Sequence, residues 1–405
     1  MKKGKALMRR IGMLTSGGDC QSLNATMRGV AKSLYKMFDD IEIVGFEDGY
    51  KGLMYADYRI MKQSDFSGIL TRGGTILGTS RQPFKLMRTP DENGLDKVEA
   101  MKHTYYKLKL ECLVILGGNG SQKTANLLRE EGLNIVSLPK TIDNDLWGSD
   151  LTFGFHSAVD VATNAIDCIH TTAASHGRVF IVEIMGRDAG WLTAASCLAR
   201  NDYSPAPHLI YLPEVDFDED QFIEDIKNVL KTSRCVIVAV SEGIHDKDGN
   251  YISATSAVAD KFGHAQLSGT GKALESLVKD RMDIKVRSIE LNVLQRCAAH
   301  ISSRTDINES FALGQAAVKY AAEGMTAVMS TIKRVSNDPY QWIIEPENVA
   351  LIANQAKTIP LEWITPEKND VTPEMEAYLR PLIIGEVSLQ YKDGLPMYLP
   401  VNHLL

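Results

Sequence analysis

The sequence predicts an α/β protein with mostly parallel sheets. Short apolar runs that resemble buried strands alternate along the chain with segments of helical period, and this alternation is typical of parallel sheets covered by helices. Several of the runs end in glycine-rich turns, where such sheets commonly bind ligands. At roughly 150 residues per domain, a chain of 405 residues suggests two or three domains.

Each predicted strand is a short apolar run bounded by glycine, proline or polar residues. In chain order these runs are 10–15, 41–46, 112–116, 134–138, 179–184, 208–212 and 235–240. Apolar residues recur at helical spacing in the segments 122–130, 158–172 and 219–231. Towards the C-terminus, 311–323 has the pattern of a helix and 327–334 that of a strand.

The strand–helix series divides the chain into three expected parts. We expect a first lobe over residues 1–156, which holds the early glycine-rich turns. A second lobe is expected over 157–300, where a new strand–helix series begins. The remaining segment, 301–405, becomes rich in proline. We expect it to pack back on the first lobe or on an oligomer interface, with regulation as an alternative role.

Charge and cysteine content exclude several classes of protein. The net charge of −7 argues against a protein that coats nucleic acid, because such proteins are usually strongly basic. None of the 6 cysteines forms a CxxC pair, so neither a zinc site nor a disulfide framework is predicted. Scattered thiols fit a reducing cytoplasm, and no apolar run is long enough to span a membrane. We therefore expect a cytoplasmic protein without nucleic-acid or membrane partners.

Two glycine-rich turns after predicted strands indicate a phosphate-binding crevice. They are Thr15-Ser-Gly-Gly-Asp19, the first glycine turn, and Leu116-Gly-Gly-Asn-Gly-Ser121, the second glycine turn. Glycine lets the backbone approach a ligand closely, and the N–H groups of a following helix attract anions. Either turn alone could equally be a plain turn. Their spacing matches neither GxGxxG nor GxxxxGK[ST], which disfavours a dinucleotide dehydrogenase and a P-loop ATPase.

The acidic segment, Pro139-Lys-Thr-Ile-Asp-Asn-Asp145, carries the most specific chemistry. Two carboxylates separated by one residue follow a buried strand and lie near a lysine. One can act as general base on a hydroxyl while the other binds a metal or orients its neighbour. A turn that merely caps the next helix is the alternative.

Arginines near predicted strands favour a phosphorylated substrate, because the planar guanidinium suits phosphate oxygens. They are Arg178, Arg187, Arg287 and Arg296. The sequence lacks HExxH, a close His–Cys pattern and Gly-x-Ser-x-Gly. Zinc and serine hydrolases are therefore disfavoured.

Taken together, these motifs resemble the 6-phosphofructokinase family. TSGGD, GGTILGTSR, GGNGS, PKTIDND, MGRDAG, the strand ending in Ser241-Glu242-Gly243 and the segment ending at Arg296 stand in the family's order. The resemblance implies two Rossmann-like lobes, the first binding the phosphoryl donor and the second fructose 6-phosphate. It further implies phosphoryl transfer to the sugar 1-hydroxyl, Mg²⁺ as cofactor, and a homodimer or homotetramer in which a neighbouring subunit supplies some arginines.

The resemblance also implies roles for individual residues. The donor would be held by Gly17, Arg81, Gly118, Asn119, Gly120, Ser121 and Lys140. Asp143 would be the general base, with Thr141 and Arg187 also catalytic. Mg²⁺ would be held by Asp145 and Asn119. The sugar phosphate would be held by Thr141, Asp143, Arg178, Met185, Gly186, Arg187, Glu242, Arg287 and Arg296.

Several positions depart from the family pattern. Asn119 stands where the family usually has a Mg²⁺-binding aspartate, and Val293 stands where short members have a sugar-phosphate-binding histidine. Lys140 is the mark of members that use pyrophosphate. Gly120 points to ATP instead, because pyrophosphate users tend to carry an aspartate there that blocks the α-phosphate and nucleoside. Since steric exclusion is stronger than an added lysine, we expect ATP as donor, with pyrophosphate as the alternative.

Two further alternatives remain open. A non-catalytic regulatory subunit is favoured by Asn119 but disfavoured by the presence of Asp143, Asp145, Arg187 and Lys140. A lipid or NAD kinase would share the second glycine turn. It would leave the acidic segment and the arginines unexplained.

Overall fold

The computed structural model describes residues 9–253, 269–297, 300–353, 355–385, 387–388 and 391–396. The predicted α/β class is confirmed, because the described residues form one large, mostly parallel sheet, one smaller parallel sheet and a two-stranded antiparallel ribbon near the C-terminus, accompanied by helices. Within the described ranges, none of the helices combines the length and apolar character that crossing a membrane requires.

The described strands lie at the following positions. In chain order they are β1 (Arg9–Ser16), β2 (Ile41–Phe46), β3 (Tyr58–Met61), β4 (Cys112–Gly117), β5 (Ile135–Thr141), β6 (Phe153–Gly154), β7 (Val179–Ile184), β8 (Leu209–Tyr211), β9 (Val236–Ser241), β10 (Val286–Glu290), β11 (Val328–Asn337), β12 (Tyr340–Asn348), β13 (Tyr391–Lys392) and β14 (Leu395–Pro396).

The helices between them vary from one turn to six. In chain order the described α-helices are α1 (Leu23–Met37), α2 (Tyr50–Tyr55), α3 (Lys97–Lys107), α4 (Asn119–Glu130), α5 (Phe155–His176), α6 (Trp191–Ala194), α7 (Glu219–Leu230), α8 (Thr270–Arg281), α9 (Leu294–Cys297), α10 (Arg304–Ala322), α11 (Val349–Ile352) and α12 (Pro373–Leu379).

Strand order places the two glycine turns and the acidic segment side by side. The large sheet has the order β12-β11-β5-β4-β1-β2-β3, with β6 paired to β5. Strands β1, β4 and β5 are parallel neighbours, so their carboxyl ends meet at one edge of the sheet. The small sheet has the order β10-β7-β9-β8 and is parallel throughout.

The predicted strands and helices are present, and several helices begin earlier than their apolar periodicity indicates. Helix α10, predicted from residue 311, begins at Arg304 because the Ser303 side chain accepts a hydrogen bond from the backbone N–H of Asp306. Helix α4 begins at Asn119, within the second glycine turn. A polar or glycine-rich first turn has no apolar periodicity, so these starts were not visible in the sequence.

The C-terminal segment contacts both sheets. Strand β11 pairs with β5 in parallel through Val328 and Val136, and β12 follows as an antiparallel edge strand. Beyond β12, the chain reaches the small sheet, where the backbone N–H of Ile210 donates to the carbonyl of Asn369 at 2.8 Å. This second set of contacts, to residues of the expected second lobe, was not predicted.

Candidate active site

The first glycine turn is supported by the segment that carries Arg81. Gly17 has a φ of 88°, in the left-handed region that favours glycine. Its carbonyl accepts a hydrogen bond from Thr79 Oγ1 at 2.7 Å, and Thr15 Oγ1 donates to the carbonyl of Gly78 at 2.7 Å. These bonds hold residues 73–81 against the turn, so that Arg81 lies next to it.

The second glycine turn forms the beginning of α4. Ser121 Oγ donates to Ser16 Oγ at 2.9 Å, and the Tyr50 hydroxyl donates to the Ser121 carbonyl at 2.8 Å. These bonds fix the first turn of the helix, whose backbone N–H groups have no partner within the helix and can bind an anion. A Cβ atom added at Gly120 would meet no atom within 4 Å, so the space in front of this turn is open.

A cavity of about 590 Å³, here called the cleft, brings residues from both sheets together. The predicted site residues that line it are Gly17, Arg81, Gly118, Asn119, Gly120, Ser121, Lys140, Thr141, Asp143, Asp145, Arg187 and Arg296. Its wall also contains Phe84, Lys85, Lys123 and Asp188, to which no role was assigned from the sequence. Proximity to the motifs was the only signal for these residues.

The acidic segment presents Asp143 to the cleft through a local hydrogen-bonded turn. Thr141 Oγ1 accepts from the backbone N–H of Asp143 at 3.1 Å and donates to Asp143 Oδ2 at 3.3 Å. Asn144 follows with a φ of 53°, and its buried Oδ1 accepts from the backbone N–H of Thr152 at 3.1 Å. The carboxylate of Asp143 is thus held by its own neighbours.

Lys140 brings a buried ammonium group to the first glycine turn. Its Nζ donates to the carbonyl of Gly18 at 2.5 Å and lies 3.1 Å from the position that a Cβ at residue 17 would occupy. Burial lowers the pKa of Lys140 to about 8. Arg296 adds to this lowering, while Cys20 and the carboxylates of Asp143 and Asp19 oppose it. At neutral pH, Lys140 therefore places a positive charge beside the predicted donor phosphates.

Two orphaned oxygen atoms in the cleft fit a magnesium ion. Asn119 Oδ1 and Asp145 Oδ1 are both buried and lack a hydrogen-bond partner among the described residues. Burial raises the pKa of Asp145, and the negative charge of Asp143 raises it further; a bound cation would favour the ionised form. The described residues contain no cluster of three or more His, Cys, Asp or Glu side chains suited to a metal. Mg²⁺ commonly takes one or two protein oxygens and completes its shell with phosphate and water.

Of the residues that follow β7, Arg187 and Asp188 line the cleft, whereas Met185, Gly186 and Glu242 of the predicted site do not belong to its wall. The backbone N–H of Met185 donates to Gln295 Oε1 at 3.3 Å, and that of Gly186 donates to Glu242 Oε1 at 3.4 Å. Burial raises the pKa of Glu242 to about 7, and the charge of Asp143 adds to this effect. Glu242 therefore lies within electrostatic range of both Asp143 and Arg187, and its carboxylate holds the backbone of Gly186, next to Arg187.

Arg178 and Arg287 lie apart from the cleft. Arg178 precedes β7, whereas Arg187 follows it, and the six residues of β7 separate the two ends by roughly 20 Å. Arg178 and Arg287 line a separate cavity of about 750 Å³, together with Lys272, Lys279 and Lys285. Within one chain, these two arginines cannot reach a ligand in the cleft. Arg296 does reach it, and its guanidinium packs against Gly18.

Comparison with known proteins agrees with this geometry. The profile of the family described as Phosphofructokinase matches residues 10–321. An ATP-dependent 6-phosphofructokinase of Spirochaeta thermophila is 43% identical over 296 residues, covering 71% of this chain and 78% of that protein. A pyrophosphate–fructose 6-phosphate 1-phosphotransferase of Xanthomonas campestris is 34% identical over 405 residues, covering 96% and 95%. Relatives with either donor in their names are therefore similar to this chain.

A solved structure shows the same fold. The pyrophosphate-dependent phosphofructokinase from Nitrosospira multiformis is 28% identical and superposes with a TM-score of 0.84, covering 97% of this chain and 96% of that one. The similarity extends through the C-terminal segment as well as the two glycine turns.

Proposed function

This chain belongs to the phosphofructokinase family, and we propose that it transfers the terminal phosphoryl group of ATP to the 1-hydroxyl of fructose 6-phosphate, giving fructose 1,6-bisphosphate. The observation that carries the proposal is the meeting of both glycine turns, Asp143 and Arg187 in one cleft. Phosphoryl transfer depends on in-line positioning and on neutralisation of negative charge, with little covalent help from the protein. The cleft provides phosphate-binding backbone, cations and a carboxylate within one volume.

Asp143 is the general base in this proposal. As the sugar 1-hydroxyl attacks, its proton passes to the carboxylate, and its oxygen forms a bond to the γ-phosphorus. The bond from that phosphorus to the bridging oxygen of ADP breaks, and the electron pair leaves with ADP. Thr141 orients the base, because its hydroxyl contacts both the backbone N–H and the carboxylate of Asp143.

Positive charge on both sides of the cleft would stabilise the transferring group. Lys140 and Arg81 lie on the large-sheet side, and Arg187 lies on the small-sheet side. Preorganised cations in a protein cleft stabilise developing charge more strongly than they would in bulk water. Asn119 and Asp145 would hold Mg²⁺, which would neutralise the donor phosphates when bound.

Two observations favour ATP as donor. The open space in front of Gly120 leaves room for an α-phosphate and a nucleoside. Phe84 lines the cleft with 40% of its surface exposed, so its ring offers a stacking surface for a nucleobase. Pyrophosphate has no group that would use either feature.

Pyrophosphate is the second candidate donor, and Lys140 is the observation that favours it. An ammonium group fixed at the first glycine turn could hold the distal phosphate of a donor that lacks a nucleoside. The Xanthomonas relative named for pyrophosphate also aligns over more of the chain than the Spirochaeta relative named for ATP.

An oligomer would give the separate basic cavity a role in substrate binding. Arg178 and Arg287, which cannot reach the cleft of their own chain, would bind the 6-phosphate of a sugar in the cleft of a neighbouring copy. Five cations against Glu275 make this cavity suited to a phosphate. We therefore propose a homodimer or a higher homo-oligomer in which each cleft is completed by its neighbour.

A donor comparison tests the proposed function. The purified full chain is supplied with fructose 6-phosphate and Mg²⁺, with either ATP or pyrophosphate, and fructose 1,6-bisphosphate is measured by coupling to aldolase. We expect a higher kcat/KM with ATP. A higher kcat/KM with pyrophosphate would establish the second candidate, and inactivity with both donors would contradict a catalytic role.

A further inference from the structure

We propose that Lys357, in the C-terminal segment, is a positioning residue for phosphoryl transfer that fixes the turn carrying Asp143 and Asp145. The proposal rests on the proposed function of the cleft. Lys357 lines a different cavity, of about 730 Å³, together with Asp150 and Trp191. Lys357 is not among the residues that line the cleft, so its effect on the reaction would be exerted through the acidic segment that it contacts.

The ammonium group of Lys357 is fully engaged with the chain that follows Asp143. Its Nζ donates to the carbonyl of Asp150 at 2.7 Å, to the carbonyl of Ser149 at 2.9 Å and to Asn144 Oδ1 at 3.1 Å. A lysine ammonium has three donors, so all of them are used in one loop. Few other side chains could satisfy three acceptors arranged around one point.

Asn144 is the link between this ammonium and the two carboxylates. It lies between Asp143 and Asp145 and has a φ of 53°, a left-handed conformation that is uncommon for residues other than glycine. Its Oδ1 accepts from both Lys357 Nζ and the backbone N–H of Thr152. Because a change of backbone angle at Asn144 would redirect both neighbouring carboxylates, the bonds that hold its side chain also hold theirs.

The backbone around Lys357 supports the same turn. The N–H of Lys357 donates to the carbonyl of Asp145 at 2.8 Å, and Ala356 forms an antiparallel bridge with Leu146. Two consecutive residues of the C-terminal segment therefore pair with the two residues that follow Asn144. Both the side chain and the backbone of Lys357 therefore form hydrogen bonds with the turn at Asn144 and Asp145.

Lys357 also contacts the segment that carries Arg187. Trp191, which is buried and follows Gly190, donates through Nε1 to the Lys357 carbonyl at 3.1 Å. The Trp191 ring also lies 5.0 Å from Lys357 Nζ, in cation–π contact. One residue thus connects the base on the large-sheet side with the arginine on the small-sheet side, and its loss would disturb their relative position.

The test compares Lys357→Met with Lys333→Met. Lys333 is a matched control, because its Nζ donates at 2.7 Å to the carbonyl of Gly148 in the same loop, whereas the bond to Asn144 is made by Lys357. We expect Lys357→Met to lower kcat by about 10- to 100-fold, since small misplacements of reacting groups cost that much. The donor KM should stay within about threefold, because the glycine turns are untouched. Lys333→Met should keep kcat within about threefold of the wild type.

Hydrogen–deuterium exchange provides a readout that does not depend on activity. In Lys357→Met the amide of Thr152, which is bonded to Asn144, should exchange faster than in the wild type or in Lys333→Met. An inactive wild type would contradict the proposed function but not the role of Lys357, since hydrogen–deuterium exchange would still report on the turn at Asn144. Unchanged exchange and kcat in Lys357→Met, or equal losses in both lysine variants, would overturn the positioning role.

Trp191→Phe provides a second route if Lys357→Met does not fold. It removes the N–H that bonds to the Lys357 carbonyl while keeping an aromatic ring. We expect kcat to fall by roughly threefold to tenfold, in proportion to one lost hydrogen bond, with thermal stability monitored in parallel. A kcat equal to that of the wild type, with a folded Trp191→Phe protein, would contradict the link to Arg187.

Discussion

Replacing Gly120 by aspartate should separate nucleotide use from pyrophosphate use. A Cβ at this position meets nothing within 4 Å, and Gly120 lies outside the left-handed region, so the side chain can be added without strain. Gly120 also lies in the first turn of α4, where a carboxylate interacts favourably with the helix dipole by about 0.3–1 kcal/mol. The melting temperature of Gly120→Asp should therefore equal or slightly exceed that of the wild type.

The substitution should weaken the binding of ATP. A carboxylate at residue 120 would project into the open cleft, towards the space assigned to the α-phosphate. Two unit negative charges roughly 5 Å apart repel by about 3 kcal/mol at an effective dielectric constant of about 20, which corresponds to about two orders of magnitude in kcat/KM. Pyrophosphate, which lacks the α-phosphate and nucleoside, should lose far less.

The aldolase-coupled assay with each donor measures this change, and Gly120→Asn is the matched control. Asparagine has nearly the same size as aspartate but carries no charge, so Gly120→Asn should show only the steric part of the loss in kcat/KM for ATP. An unchanged kcat/KM for ATP in Gly120→Asp would refute the idea that ATP occupies the space in front of the second glycine turn.

Three other changes test separate parts of the account. Phe84→Ala should raise the KM for ATP by roughly threefold to tenfold through lost stacking, while any activity with pyrophosphate stays unchanged. An equal rise in the KM for both donors would exclude nucleobase stacking on Phe84. Because burial lowers the pKa of Lys140 to about 8, its charge is lost as the pH rises through that value, so the donor kcat/KM should fall between pH 7 and 9. Lys140→Met should abolish that decline, and a decline that persists in the variant would assign it to another group. Mixing subunits of Arg178→Ala with subunits of Asp143→Ser should yield more activity than either variant alone. The reason is that a hybrid oligomer contains one cleft with an intact Asp143 and an intact Arg178 from the neighbouring subunit. No gain in activity after subunit exchange would contradict the proposal that neighbouring subunits share clefts.

Much of the fold was predictable because its signals are local. Apolar runs bounded by polar residues identify β1, β4 and β5, and the glycines that follow β1 and β4 mark where backbone must approach a ligand. Because neighbouring parallel strands end at the same edge of a sheet, these turns could be expected to lie close together. The start of α10 escaped prediction because its first turns carry polar residues and depend on the Ser303 cap.

The candidate site was only partly predictable, because some of its contacts are distant in sequence. Arg178 and Arg187 flank the same strand and lie at opposite ends of the sheet, although the sequence motifs had grouped both around the sugar phosphate. The exposed ring of Phe84 had no motif of its own. The bond between Lys357 and Asn144 spans 213 residues and joins a proline-rich stretch to the acidic segment. Neither periodicity nor spacing reports such a contact.

Steady-state turnover of Asp143→Ser tests the central claim most directly. If Asp143 removes the proton of the sugar hydroxyl, kcat should fall by about 10²- to 10⁴-fold, while the KM for fructose 6-phosphate stays within a few-fold of the wild-type value. A folded variant with nearly normal kcat would contradict the assignment of Asp143 as the base.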